Sequence, residues 1–241
     1  MKFFDLDSPL MQVLNKVADL MLLNILCLVC CIPIITTGAS LTALHYMALK
    51  IVRNEECYIM RGFFKSFKEN FKQGTIIWLL LLLVIGILAG DFYIMKNSGI
   101  QFNKVLQIII TAVGVLVLFT TMFVFPVLAK FVNTTMRTIK NAFVMSILQF
   151  PKTILMVIMW LVPAVLAIFV PKAMPISFLF GLSAPAFVSA LLYNKFFKKL
   201  EAQIEEADGG GEEAAEEGED ERIFKDELDE TLAASDNQDN K

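Results

Sequence analysis

Apolar residues in this chain come in five long runs free of charged side chains. Thirty uncharged residues separate Asp19 from Lys50, 18 separate Lys72 from Asp91, and 25 separate Lys104 from Lys130. A further 19 lie between Lys152 and Lys172, and 22 between Lys172 and Lys195. A bilayer core of about 30 Å is crossed by roughly 20 apolar residues in a helix. Only a helix, or a closed barrel, satisfies its own backbone groups in lipid. Residues 76–90 (IIWLLLLLVIGILAG) are apolar all round, which a half-exposed soluble helix is not. The pattern predicts an all-α, polytopic transmembrane helix bundle with amphipathic cytoplasmic loop helices.

The first run is too long for one straight helix, since 30 residues would extend about 45 Å. It contains Pro33 and the triplet Thr36-Thr37-Gly38, which break or turn a helix. A first span is expected over residues 17–33. A second helical element follows over 39–52, where Leu41, Leu44, Met47, Ala48, Ile51 and Val52 recur at helical spacing. Ser40 and Thr37 are candidate caps for its start. The remaining spans are expected over 75–95, 105–129, 153–170 and 174–193. That makes five spans, or six if the 39–52 element crosses.

Charge then divides the chain. Residues 1–199 carry 18 Lys/Arg and 7 Asp/Glu, a net +11, and form the expected transmembrane domain. Residues 200–241 carry 3 Lys/Arg and 17 Asp/Glu, a net −14, and read as an acidic, mostly disordered tail. Thirteen Lys/Arg fall in or after the loops 50–72, 130–152 and 195–199, against three on the other side. The basic side is the expected cytoplasmic one, with the tail beside it. The side of the N-terminus depends on whether 39–52 crosses. The first run is expected to stay as an uncleaved helix, because no convincing small-residue cleavage site follows it.

In the first basic loop Phe63, Phe64, Phe67 and Phe71 alternate with Lys65, Lys68 and Lys72, downstream of Arg53. Such a segment suits the headgroups of an anionic inner leaflet, or a docking surface for a partner protein. No recognition module surrounds it, so nucleic acid is not an expected partner. In the tail, Ile223, Phe224, Leu228 and Leu232 fall on one face of a short helix, a candidate partner motif.

Chemistry is thin. Cys27-x-x-Cys30 with Cys31 has a redox or zinc spacing, but in a membrane helix these are small apolar packing groups. The single His45 does not complete a metal site. No paired carboxylates and no Ser-His-Asp set fall within the spans, so no catalytic residue, no metal and no cofactor is expected. Gly86-x-x-x-Gly90 is a close-packing signal for two helices. Interior prolines at 33, 126, 163 and 185 suggest kinks, and the paired Thr-Ile steps at 75–76 and 153–154 hint at a repeat. Asn24, Gln107 and Asn194 are the polar, neutral groups inside the runs.

The stretches Asp7-Ser8-Pro9-Leu10, Asn15-Lys16, Leu23-Asn24 and Thr37-Gly38-Ala39-Ser40-Leu41-Thr42-Ala43-Leu44 resemble the YesL-like family of bacterial membrane proteins. So do Arg53-Asn54-Glu55-Glu56 and the segment from Phe63 to Gln73. The resemblance is dense over residues 3–78. It implies a small multi-pass protein of the bacterial cell membrane, associated with carbohydrate uptake and utilisation, and brings no catalytic residues. The resulting expectation is a non-enzymatic accessory or regulatory protein. Its partner would be a membrane protein such as a sugar transporter or sensor, or a second copy in a homo-oligomer. The competing reading is a small-solute permease. The packing unit of either would be Pro33, Thr37, Gly38, Ala39 and Ser40.

Overall fold

The computed structural model describes residues 9–55, 58–97, 103–170, 172, 174–204 and 206. The chain divides into two units, 1–194 and 195–241. Among the described residues every regular element is helical. They are α1 (Pro9–Cys31), a 3₁₀ turn (Ile34–Thr36), α2 (Thr37–Arg53), α3 (Ile59–Asn97), α4 (Lys104–Lys130), α5 (Thr135–Leu148), α6 (Phe150–Phe169) and α7 (Met174–Phe180). A last helix, α8 (Ser183–Ile204), is bent by 51° from α7. Four helices are long and apolar enough to cross a membrane, or five with α7 and α8 taken as one broken span. The chain is a multi-pass membrane protein of the all-α class.

Pro33 breaks the first run where its chemistry says it should. It ends α1 at Cys31 and stands at the cap of the 3₁₀ turn in extended backbone. The hydroxyl of Thr36 holds the corner, donating to the carbonyls of Cys30 (2.6 Å) and Pro33 (2.8 Å). Neither expected cap acts as one: Thr36 takes the cap position and gives no side-chain bond to the helix start. Ser40 instead reaches across to α1, donating to Cys27 O at 3.0 Å. At the other end Gln12, Asn15, Lys16 and Asp19 share a cleft with Ile51, Asn54 and Glu55. Hence α2 returns antiparallel along α1 as a helical hairpin.

α2 is the buried axis of this unit. Gly38, Ala39, Ser40, Ala43, Leu44, Met47 and Ala48 are all buried, and their small size lets neighbours come close. α3 also runs antiparallel to α2, with Gly74 against Gly38 at one end and Gly62 against Met47 at the other. A Cβ on Gly38 would meet the Gly74 carbonyl oxygen and lie 2.6 Å from Trp78 Cβ. A Cβ on Gly74 would lie 3.0 Å from Ala39 N. Both glycines are therefore needed for backbone contact, as small residues are at membrane helix crossings. Trp78 seals the end by donating Nε1–H to Ile34 O at 2.8 Å.

Two expectations are corrected. The Phe/Lys segment 63–72 is not a separate loop helix, because α3 continues through it without a break for 39 residues. At 1.5 Å per residue that is about 58 Å, close to twice a bilayer core. Arg61, Lys65, Lys68, Glu69 and Lys72 all fall in its first half. Charged side chains at bilayer depth are costly, so the stretch of α3 suited to hydrocarbon is the charge-free run 73–90, between Lys72 and Asp91. The second correction concerns Gly86 and Gly90. Nothing lies within 4 Å of where their Cβ atoms would be, and both are exposed. The close crossing uses Gly38 and Gly74 instead.

α4 packs its second half into the bundle, burying Phe123, Val124, Phe125, Val127 and Leu128, and runs through Pro126. α5 packs on α4, and Thr153 at the start of α6 bonds back to Ser146 O at 2.9 Å. α6 runs through Pro163. In the fifth run the break falls at Gly181–Leu182, where a Cβ on Gly181 would meet the carbonyl oxygen of Ser177. Pro185 sits in the first turn of α8, where a missing N–H is harmless.

Candidate functional site

Three polar side chains of the first helices, Asn24, His45 and Arg53, meet residues 178–194 and join distant parts of the chain. Asn24, midway along α1, is fully buried. Its Oδ1 accepts from the backbone N–H groups of Leu182 (2.8 Å) and Ser183 (3.0 Å). Its Nδ2 donates to Phe178 O at 2.7 Å. One amide thus supplies both sides of the α7/α8 break, where helix ends leave donors and acceptors without intrahelical partners. That repair is what lets a broken helix exist in an apolar surrounding. Beside it the Ser183 hydroxyl is buried with no hydrogen-bond partner among the described residues, as is that of Ser189.

His45, in the middle of α2, is buried, and its Nδ1 lies 3.4 Å from the hydroxyl of Tyr193. Next along α8, Asn194 Oδ1 accepts from Arg53 Nε at 2.9 Å. α8 is thus held to the first helices at three levels: Asn24, His45 and Arg53. The imidazole also faces Trp160 of α6, ring centroids 6.0 Å apart.

Trp160 stands between two cavities. One, about 70 Å³, is lined by Leu41, His45, Trp78, Thr121, Met122, Phe125 and Trp160. The other, about 380 Å³, lies between α1, α6 and α7, with Asn24, Leu28, Trp160, Pro163, Ala167 and Phe178 among its walls. Among the described residues no charged side chain lines either. No group of three or more His, Cys, Asp or Glu side chains is placed to hold a metal among the described residues. Cys27 and Cys31 have sulfurs 3.9 Å apart, and Ser40 Oγ lies 3.3 Å from Cys27 Sγ. These sulfurs pack the α1/α2 contact.

The basic half of α3 forms a second surface. Phe63 is buried and stacks on Phe67 (6.2 Å), which meets Phe71 edge-on (5.6 Å), while Phe64 meets Phe63 edge-on (5.7 Å). Phe64, Phe71, Lys65, Lys68 and Lys72 are exposed. Lys65 lies 4.0 Å from Glu69 in an exposed i,i+4 pair, of little energetic weight. Phe63 seats the segment on its neighbours, Phe67 is half-buried beside it, and Phe64 and Phe71 are exposed with the lysines. At its start, Asp19 and Leu22 of α1 share a cleft with Tyr58, Ile59, Met60 and Arg61, and α1 further exposes Ile25 and Val29.

The sequence-derived candidates therefore separate. Gly38, Ala39 and Ser40 meet at the helix crossing, and Arg53 meets Asn194 in the middle of α8. The Phe/Lys residues form a surface of their own, and Gly86 and Gly90 join neither. The tail motif Ile223, Phe224, Leu228 and Leu232, like the rest of the acidic segment beyond residue 206, lies outside the described residues. Asn24 and His45 were visible only as polar residues in an apolar run, and nothing in the sequence paired them with Leu182, Ser183 or Tyr193.

No curated protein and no solved structure matches this chain. Its segment 20–92, which holds the α2 axis and the part of the resemblance from residue 20 to 78, matches the model of DUF624, a family of proteins of unknown function.

Proposed function

We propose that this protein is a non-enzymatic accessory component of a membrane system, held in a bacterial cell membrane with its basic side and acidic tail in the cytoplasm. The observation that carries this reading is the continuity of α3. A rigid extension of a membrane helix, braced along α2, presents Arg61, Lys65, Lys68 and Lys72 beyond the hydrocarbon. Beside them α1 offers an apolar flank. That combination suits an anionic leaflet surface and a partner docked there. The partner system implied by the resemblance is carbohydrate uptake, through a transporter or sensor.

The test is photocrosslinking in cells from positions 65, 68 and 72, with mass spectrometry of what is captured. One dominant membrane protein, lost in a Lys65→Glu/Lys68→Glu/Lys72→Glu variant that still inserts, supports the reading. Capture of lipid or of the protein itself alone argues against a partner role.

The second reading, a small-solute permease, is favoured by the α7/α8 break, since transporters place broken helices at their substrate sites. It calls for solute flux in proteoliposomes that changes in Asn24 or His45 variants. Absence of flux across a panel of sugars and ions removes it.

A further inference from the structure

The 380 Å³ cavity between α1, α6 and α7 has a lining that selects its occupant. Its walls are Leu28, Pro163, Ala164, Ala167, Met174 and Phe178, with the Trp160 indole at one side. Asn24 and Ser177 are polar side chains in its lining. Among the described residues no side chain of either charge contributes, so an ion would enter without a partner, which is strongly unfavourable in a low-dielectric site. Water is poorly served as well. Asn24 already makes three hydrogen bonds to the helix break. The volume is more than twice the roughly 150 Å³ of an apolar cavity that holds one benzene ring.

The cavity also has an identifiable source of hydrocarbon. Every residue lining it belongs to a charge-free run, and α1 and α6 are helices able to cross the bilayer. Ala164 and Met174 are exposed, so the cavity opens on the surface that the spans turn to their surroundings. The small side chains of Ala164 and Ala167 leave the groove where a Leu or Phe would close it.

We infer that this groove is a lipid-chain site: one acyl chain of a bilayer lipid enters between α6 and α7 and lies against Trp160, its end below the Asn24-stapled break. The inference is independent of the partner and permease readings, because it concerns binding in the isolated protein. The chain fills a space that would otherwise lack contacts on one side of Trp160, Phe178 and Pro163, and it braces the bend of the fifth run.

Trp160 provides the readout. A Trp78→Phe variant leaves it as the sole tryptophan. It is reconstituted in nanodiscs of phosphatidylcholine carrying bromine at positions 9 and 10 of the acyl chain, and compared with unbrominated discs. Bromine in contact with the indole quenches its fluorescence. Two further variants of this background carry Ala167→Phe or Ala164→Phe, which fill the groove. Ile168→Phe, on the exposed side of the same helix and outside the lining, is the control for shielding by surrounding lipid. Quenching of the sole-Trp protein should fall at least twofold on filling the groove and stay unchanged in the control. Equal quenching in filled and open grooves, or an equal fall in the control, overturns the assignment. Native mass spectrometry adds an arm that does not depend on Trp160: one retained lipid per protein, absent from the filled variants. No lipid retained by the unfilled protein also overturns it.

Discussion

Replacing Gly38 by Ala should loosen the crossing of α2 and α3, and the structure fixes the size and the control. The added Cβ would meet the Gly74 carbonyl oxygen, with Gly74 C at 2.9 Å and Trp78 Cβ at 2.6 Å. Two of these three atoms are backbone, so no rotamer change relieves the overlap and the helices must separate. Overpacking of this kind costs about 1–3 kcal/mol. The gain in helix propensity from Gly to Ala offsets about 1 kcal/mol of it, leaving a net loss of up to about 2 kcal/mol. For a chain of this size that lowers Tm by up to roughly 8 °C. Gly74→Ala should do less, because its Cβ would come no closer than 3.0 Å to α2. Gly86→Ala, with open space around it, keeps the propensity gain and should be neutral or slightly stabilising. The assay is thermal unfolding in a mild detergent, read by tryptophan fluorescence and repeated by SDS titration. Equal shifts for Gly38→Ala and Gly86→Ala would refute the reasoning. A large loss for Gly86→Ala would place a second helix, from another copy or a partner, on that face.

Two further substitutions test the bonds that tie α1 to the rest. Asn24→Leu removes three hydrogen bonds and leaves the N–H groups of Leu182 and Ser183 and the carbonyl of Phe178 without their partner. At about 0.6 kcal/mol per interhelical bond in a membrane, the loss is about 2 kcal/mol, with faster amide exchange confined to 182–183; unchanged exchange there would contradict the staple. Ser40→Ala removes the bond to Cys27 O and should destabilise by about 0.5–1 kcal/mol without altering helix content by circular dichroism. A loss above about 2 kcal/mol would mean that Ser40 has a role beyond this contact.

How far the sequence reveals this arrangement depends on whether a feature is local. Charge-free runs set the helices, because lipid and backbone chemistry act on each segment separately. Pro33 marks the corner for the same reason. The extent of α3 is not local. The change from a charged to an apolar half near Gly74 reads as a loop meeting a span, yet the helix continues. Gly74 lies at that join because α2 needs it flat, not because the chain turns. Likewise Gly86 and Gly90 satisfy a spacing rule on one helix, whereas the contact that exists joins single glycines on two helices, a pairing no spacing displays.

The fifth run shows what replaces local signals. Pro185 suggests a kink in the interior of a span, but the chain bends earlier, at Gly181–Leu182, and Pro185 falls harmlessly in the first turn of α8. Gly181 permits the bend sterically, since a side chain there would meet Ser177 O. Permission is not enough in an apolar environment, where the freed N–H and C=O groups need partners. Those partners come from Asn24, more than 150 positions earlier in the chain. Whether residues 174–204 cross as one helix or a broken pair is therefore decided in α1. A single amide in the first apolar run sets the shape of the last, and any ligand or partner that moves α1 acts on that break directly.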